Sequence, residues 1–321
     1  MNTSRKKLVL GIVKWLIVVL VVAWIVWKIV QSGQDLAQHR WQPKPGWILL
    51  AVVCYLIGYF PAGIYWHFIL RKLGQQPTFY ETIRAYYIGH LGKYIPGKAM
   101  VVAIRAALVR SDRVKTSVAV AGVFLETLTM MAVGAMISAI LLFVFFREQT
   151  VLVLVALGLM IVSGLPVVPF FFRKIVKLAG AVKNDDEMNQ ALNRFNTKTL
   201  LCGWGLMAVV WLFLGLSLAA TINGVGIVTG DLLLHLPRFV SAAALSTVAG
   251  VLSMIPGGLG VREMVLSELM NRYFEVIILP EGLTASAAGI VVACVARLIS
   301  LVSELAVSVV LYLLKPHSKP E

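Results

Sequence analysis

The chain predicts an all-α polytopic membrane protein: six full transmembrane helices plus two re-entrant helical hairpins, in an inverted 3+3 repeat with both termini cytoplasmic. Three observations lead there. Of 321 residues, 59% are hydrophobic and only 14% charged, where soluble domains run at about 45–50% and about 25%; mean hydropathy is +0.86. Six apolar runs reach the roughly 20 residues that a helix needs to cross a bilayer. Two further apolar runs are interrupted near their centres by the same tripeptide, I-P-G.

The first span is residues 8–30, behind the basic start M-N-T-S-R-K-K. It is longer than a signal-peptide core, and its exit Q-S-G-Q-D has no small-residue cleavage pattern, so it reads as a retained helix. The others are residues 47–70, 117–146, 151–172, 200–222 and 284–314. The third and sixth run long, which calls for tilt or for extension beyond the lipid. Residues 80–109 are broken by G-H-L-G-K-Y-I-P-G-K, and residues 232–270 by S-M-I-P-G-G-L-G-V-R-E. Proline removes a backbone donor and glycine loosens the helix. Freed backbone groups at membrane depth must be covered by protein or line a cavity. Each run therefore reads as a hairpin returning to its own side, with Pro96 at one tip and Pro256 and Gly257 at the other.

Net charge is +14, from 29 Lys+Arg against 15 Asp+Glu. In a membrane protein this excess belongs to cytoplasmic loops facing an anionic leaflet, not to nucleic acid. With the N-terminus inside, the inner segments hold Arg5, Lys6, Lys7, then Arg71, Lys72, Arg84, Arg110, Arg113 and Lys115, then Arg173 to Lys198, then Lys315 and Lys319. The outer segments hold only Arg40, Lys44, Arg147, Arg238, Arg262 and Arg272. The asymmetry places both termini in the cytoplasm. Residues 1–314 then form one membrane domain, with halves at about 8–146 and 151–314 and a cytoplasmic tail at 315–321. Each half is two spans, an I-P-G hairpin and a long span. Three spans per half turn the second upside down, so the hairpins enter from opposite faces and meet near the midplane.

Residues 92–99, G-K-Y-I-P-G-K-A, come close to the phosphate-binding loop G-x-x-x-x-G-K-[ST]. Ala99 stands where a Mg²⁺-binding hydroxyl is required and no strand precedes, which argues against a nucleotide. The chemistry carries over to a lipid phosphate. A helix restarting after Pro96 presents free N–H groups near Gly97 and Lys98. Lys93 and Lys98 add charge, and Arg105, seven residues on, lies roughly two turns along the same face and can grip a phosphate bidentately. The competing reading leaves the lysines snorkelling to the inner headgroups. The second break offers a matching helix start at Gly258 and Gly260, where Arg262 either receives a phosphate or pairs locally with Glu263.

Glu126, Arg297 and Glu304 lie within spans, where a charge costs on the order of 2.5–3.5 kcal/mol. Arg297 and Glu304, seven apart on one face, are expected to bridge directly or with Glu126, as a structural lock or as part of a transport path. The histidines His39, His67, His90, His235 and His317 are scattered, and Cys54, Cys202 and Cys294 build no framework. No catalytic set, metal or cofactor is expected. His90, at the edge of the first break, reads as a packing residue.

Pro96-Gly97-Lys98 with Arg105, V-F-L-E ending at Glu126, P-G-G-L-G-V-R-E over 256–263, and Arg297 resemble the lysylphosphatidylglycerol synthase transmembrane-region family over about residues 10–314. The resemblance implies a flippase that moves a phosphate-bearing lipid between leaflets: a phospholipid, an aminoacyl phospholipid or a polyprenyl carrier. It also implies a stand-alone member without the aminoacyl-transferase domain, hence no lipid synthesis. The alternatives are a membrane enzyme acting on a lipid-linked headgroup, or a non-transporting accessory subunit. The partners are then anionic or phosphate-bearing membrane lipids, with no nucleic acid; a homodimer is compatible with this reading. Departures are Lys98, where the family often has Arg, and Thr127 and Met130, where Arg and Asp often follow the buried Glu.

Overall fold

A computed structural model describes residues 41–95, 100–145, 150–178, 190, 192–227, 232–253, 255–274, 279 and 283–314. The expected first span at residues 8–30 and the tip residues Pro96, Gly97 and Lys98 lie outside the described residues. The described residues form ten α-helices.

Helix α1 (Pro45–Lys72) starts on a proline, which suits the first turn. It packs antiparallel along α7 (Thr197–Gly224), whose start is capped by Asn196, its Oδ1 accepting from the Thr199 N–H at 3.0 Å. In lipid, apolar burial does not drive helices together; close approach at small residues does. Gly203 lies beneath the Tyr65 ring, Gly58 faces Phe213 and Gly224 faces Ile48. Ser217 Oγ donates to the Ala51 carbonyl at 2.8 Å. Helix α4 (Thr116–Phe145) crosses the same α7, where Trp211 Nε1 donates to the Met130 carbonyl at 3.1 Å.

Helix α8 (Leu232–Leu252) meets α7 at Gly215, where a Cβ would stand 2.8 Å from Val240 Cα and 3.0 Å from its nitrogen. Backbone cannot step aside, so Gly215→Ala is expected to cost about 1–3 kcal/mol, as overpacking does, read as a lower thermal midpoint in detergent. Gly205→Ala, with nothing within 4 Å, should melt like the parent.

Helices α1, α4, α7, α8 and α10 (Ala285–Leu313) are long and apolar enough to cross a membrane. The expected span at 151–172 is not one straight helix: it is α5 (Thr150–Gly164), a 3₁₀ turn at Leu165–Val167, and α6 (Pro169–Leu178). The segments Val153–Val167 and Pro169–Leu178 bend by 72°, because Pro166 and Pro169 both withhold the N–H a continuing helix needs. Helix α6 buries Phe172 and Val176, while Arg173 donates to the carbonyls of Leu192 (3.0 Å) and Phe195 (2.7 Å). Including this bent pair, the described residues hold five or six candidate spans. Helix α8, expected as one arm of a hairpin, is by itself as long as a span.

Both I-P-G regions do break. Helix α2 (Phe79–His90) begins in a reciprocal cap between Thr78 and Glu81 and ends in a 3₁₀ turn, Leu91–Tyr94. Helix α3 (Met100–Val109) then packs against α2. The approach needs Gly92, where a Cβ would fall 2.7 Å from Val101 N and 2.8 Å from Met100 C. In the second region α8 ends, a 3₁₀ turn follows at Pro256–Gly258, and α9 (Val261–Phe274) begins. Gly257 and Gly258 sit at φ 60° and 65°, the left-handed region that favours glycine. The two breaks touch: a Cβ on Gly257 would lie 2.9 Å from the Tyr94 ring. Helix α9 packs on α10, where a Cβ on Gly289 would meet the Ser267 carbonyl at 2.6 Å.

One end of the bundle gathers basic residues. Gly74 lies against Arg194, Gln76 N donates to the Arg113 carbonyl at 3.1 Å and Lys115 N to Gln75 Oε1 at 2.7 Å. Arg71 and Lys72 close α1 on that side.

Candidate functional site

Between the two breaks lies a cavity of about 380 Å³. The first break contributes His90, Gly92, Lys93 and Arg105, the second Gly250, Gly257, Gly258 and Arg262, and α4 closes it with Glu126 and Thr127. Most of the remaining wall is apolar. Ile95, Phe124 and Val251 belong to it and are also exposed at the protein surface.

Three carboxylates organise the charges. Glu126 is buried on α4 and accepts from Arg105 Nη1 at 2.8 Å. Tyr86 and Thr127 hydroxyls add bonds of 3.3 and 3.2 Å. The Arg105 guanidinium lies over the Tyr86 ring, 3.9 Å from its centroid, and its Nη2 approaches His90 Nδ1 at 3.2 Å. Gly89 makes room for this, since a Cβ there would collide with Arg105 Cγ.

Glu304 on α10 is likewise buried. Lys93 Nζ donates to its Oε1 at 2.5 Å and Tyr94 to its Oε2 at 2.9 Å; the Tyr55 hydroxyl also donates to Oε1. His90 Nε2 stands 3.6 Å from the same Oε1. Glu263, third, reaches back to the start of its own helix, accepting from the Gly260 N–H at 2.6 Å, and faces Arg297 Nε at 3.4 Å. No nitrogen of the buried Arg297 guanidinium has a hydrogen bond among the described residues, and the group lies over the Tyr94 ring, 5.2 Å from its centroid.

The expected bridge among Arg297, Glu304 and Glu126 is therefore corrected. Each of the three has a different partner, because α10 runs past both breaks and offers one charge to each. The local Arg262–Glu263 pair does not form either, since the Glu263 carboxylate is taken by Gly260 and Arg297. At the second helix start, that carboxylate occupies the N–H of Gly260 where an incoming anion was expected. Lys93 and Arg105 sit in the cavity wall, each already facing a carboxylate. Arg262 also lines the cavity, half-buried, and makes no hydrogen bond or ion pair among the described residues. Pro256 opens the second 3₁₀ turn.

Sequence reasoning missed the hydroxyls of Tyr55, Tyr86, Tyr94 and Thr127, which complete the two buried carboxylates. A signal existed for the first: Tyr55 and Tyr59, four apart on an apolar span, share one helix face.

A comparison with curated proteins finds no match. A comparison with family models matches residues 11–311 to the lysylphosphatidylglycerol synthase TM region. That match runs through both helix breaks, the Arg105–Glu126 pair and the charges of α10, and the chain belongs to the lysylphosphatidylglycerol synthase transmembrane-region family.

Proposed function

We propose that this protein is a flippase-like translocator in a bacterial-type inner membrane, moving a phosphate-bearing lipid between leaflets without changing it covalently. The two broken segments are re-entrant hairpins of an inverted repeat, with the basic end of the bundle in the cytoplasm. The headgroup occupies the cavity between them while the chains stay outside along Ile95, Phe124 and Val251. The observation that carries this reading is Arg262: a cation with no hydrogen bond or ion pair of its own among the described residues, in the wall of a largely apolar cavity. Glu263 and Glu304 act on it only from a distance, being held by Gly260 and Lys93, so its own donors are left to receive an anion. The meeting of both breaks at Tyr94 and Gly257 supports the same reading.

The test is leaflet exchange of labelled phosphatidylglycerol in reconstituted vesicles, normalised to inserted protein. Arg262→Ala should lose about tenfold to hundredfold in apparent affinity, the equivalent of a charged hydrogen bond worth about 1.5–3 kcal/mol, and Arg262→Lys should recover part of it. Normal exchange by Arg262→Ala would sink the assignment. A new lipid product would point to the enzyme reading, and neither exchange nor product to an accessory subunit.

A further inference from the structure

His90 ends α2 with its ring set between the first two charge clusters. Tyr59 of α1 packs on it with centroids 4.7 Å apart, and Tyr86 stacks from its own helix at 6.1 Å. Arg105 of α3 faces Nδ1, with Glu126 of α4 behind it. Glu304 of α10 faces Nε2, with Lys93 of the first break and Tyr55 of α1 on the same carboxylate. Arg262 of α9 acts on the ring across the cavity.

These contacts fix one tautomer. An arginine can only donate, so the 3.2 Å contact to Nδ1 makes that nitrogen an acceptor without a proton. The hydrogen of the neutral ring is then on Nε2, aimed at Glu304 Oε1 at 3.6 Å, too far for a good bond. Nε2 is accordingly buried without a hydrogen-bond partner among the described residues. A proton arriving from water forms an Nδ1–H bond and removes the lone pair that Arg105 uses. The bond to Arg105 Nη2 must break, and two donors then repel. The imidazolium is drawn instead to Glu304 Oε1, the oxygen that holds Lys93. Protonation thus loosens one donor of Arg105 and the ammonium of Lys93 together, and both side chains line the cavity beside Arg262.

We infer that His90 is a proton-binding site coupled to the anion site, so that the cavity takes up a proton together with its anionic ligand. The inference rests on the anion reading of the cavity. By linkage the effect is reciprocal: a proton that strengthens anion binding is itself bound more tightly when the anion is present. Proton and lipid then move as co-substrates, and a proton gradient can drive the lipid.

The experiment is calorimetric titration of the full chain, in phosphatidylcholine nanodiscs, with short-chain phosphatidylglycerol, whose phosphodiester does not titrate near neutral pH. Running it in two buffers of different ionisation heat counts protons taken up. The wild type should take up roughly one proton per lipid bound, with affinity rising by up to about tenfold per pH unit on acidification. His90→Gln keeps a carbonyl for Arg105 and an amide for Glu304 but cannot take the proton. It should bind with no uptake and a flat pH profile. Binding by the wild type without uptake would overturn the coupling and leave the anion reading standing. Equal uptake by His90→Gln would overturn the assignment to His90. Absence of binding by both proteins would remove the anion reading and the coupling with it.

Discussion

Replacing Glu304 by alanine is expected to destabilise the protein by about 3–5 kcal/mol, the range seen when one partner of a buried pair is removed. The carboxylate is 3% exposed and holds the first break against α10 through Lys93, Tyr94 and Tyr55. Without it the Lys93 ammonium is left beside Arg262 and Arg297 with no counter-charge, and two tyrosine hydroxyls lose their acceptor. Lys93→Met in the same background removes the orphaned charge, so the double variant should recover most of the loss, since an apolar pair often replaces a buried ion pair at little cost. Thermal unfolding of the four proteins in detergent closes the cycle. Additive losses would show that the pair is not what joins break and helix.

The second large effect is expected at Arg105. Arg105→Ala leaves Glu126, 1% exposed, buried with only the Tyr86 and Thr127 hydroxyls, and should again cost about 3–5 kcal/mol. Arg105→Lys keeps the charge but loses the fork that serves Glu126 and His90 together, so it should fall between. Pairing Arg105→Met with Glu126→Gln should regain most of the stability. Because Arg105 also carries the donor that protonated His90 releases into the cavity, lipid exchange by Arg105→Ala should fall below its folded fraction. Arg262→Ala, which breaks no pair, should melt like the parent and fail only in exchange. Melting curves set beside exchange rates distinguish the two residues; exchange by Arg105→Ala that merely follows its folded fraction would leave Arg105 a structural partner of Glu126 alone.

The parts of this fold legible in the sequence were those written locally. Apolar runs marked α1, α4, α7 and α10, and I-P-G marked both breaks, because hydropathy and proline act within a few residues. The bend between α5 and α6 was also written locally, in Pro166 and Pro169, but the apolar run continues through it and hid the turn. Buried charges were recognisable as site residues because an unpaired charge in a span is costly. Their partners were not. Spacing along a helix says which residues share a face, and Arg297 and Glu304 are indeed both buried on α10. It says nothing about which element lies opposite, and Lys93 finds Glu304 across 211 positions of sequence. His90 looked like packing for the same reason: its meaning comes from Arg105 and Glu304, neither near it in the chain.

The bend also bears on how deep the bundle sits in the bilayer. Helix α5 has 15 residues and continues into the 3₁₀ turn at Leu165–Val167, together roughly 28 Å at about 1.5 and 2.0 Å rise per residue, close to the roughly 30 Å hydrocarbon layer. If α5 stands along the membrane normal, a 72° bend lays α6 almost flat, with Phe170 and Phe171 exposed beside Lys174 and Lys177, as in helices that float at the headgroup level. The bend thus fixes how deep α5 stands, since α6 marks the headgroup plane at one of its ends. Helix α5 packs against α4, which closes the cavity. Through α4, the depth at which α6 floats also sets the depth of the cavity below the headgroups.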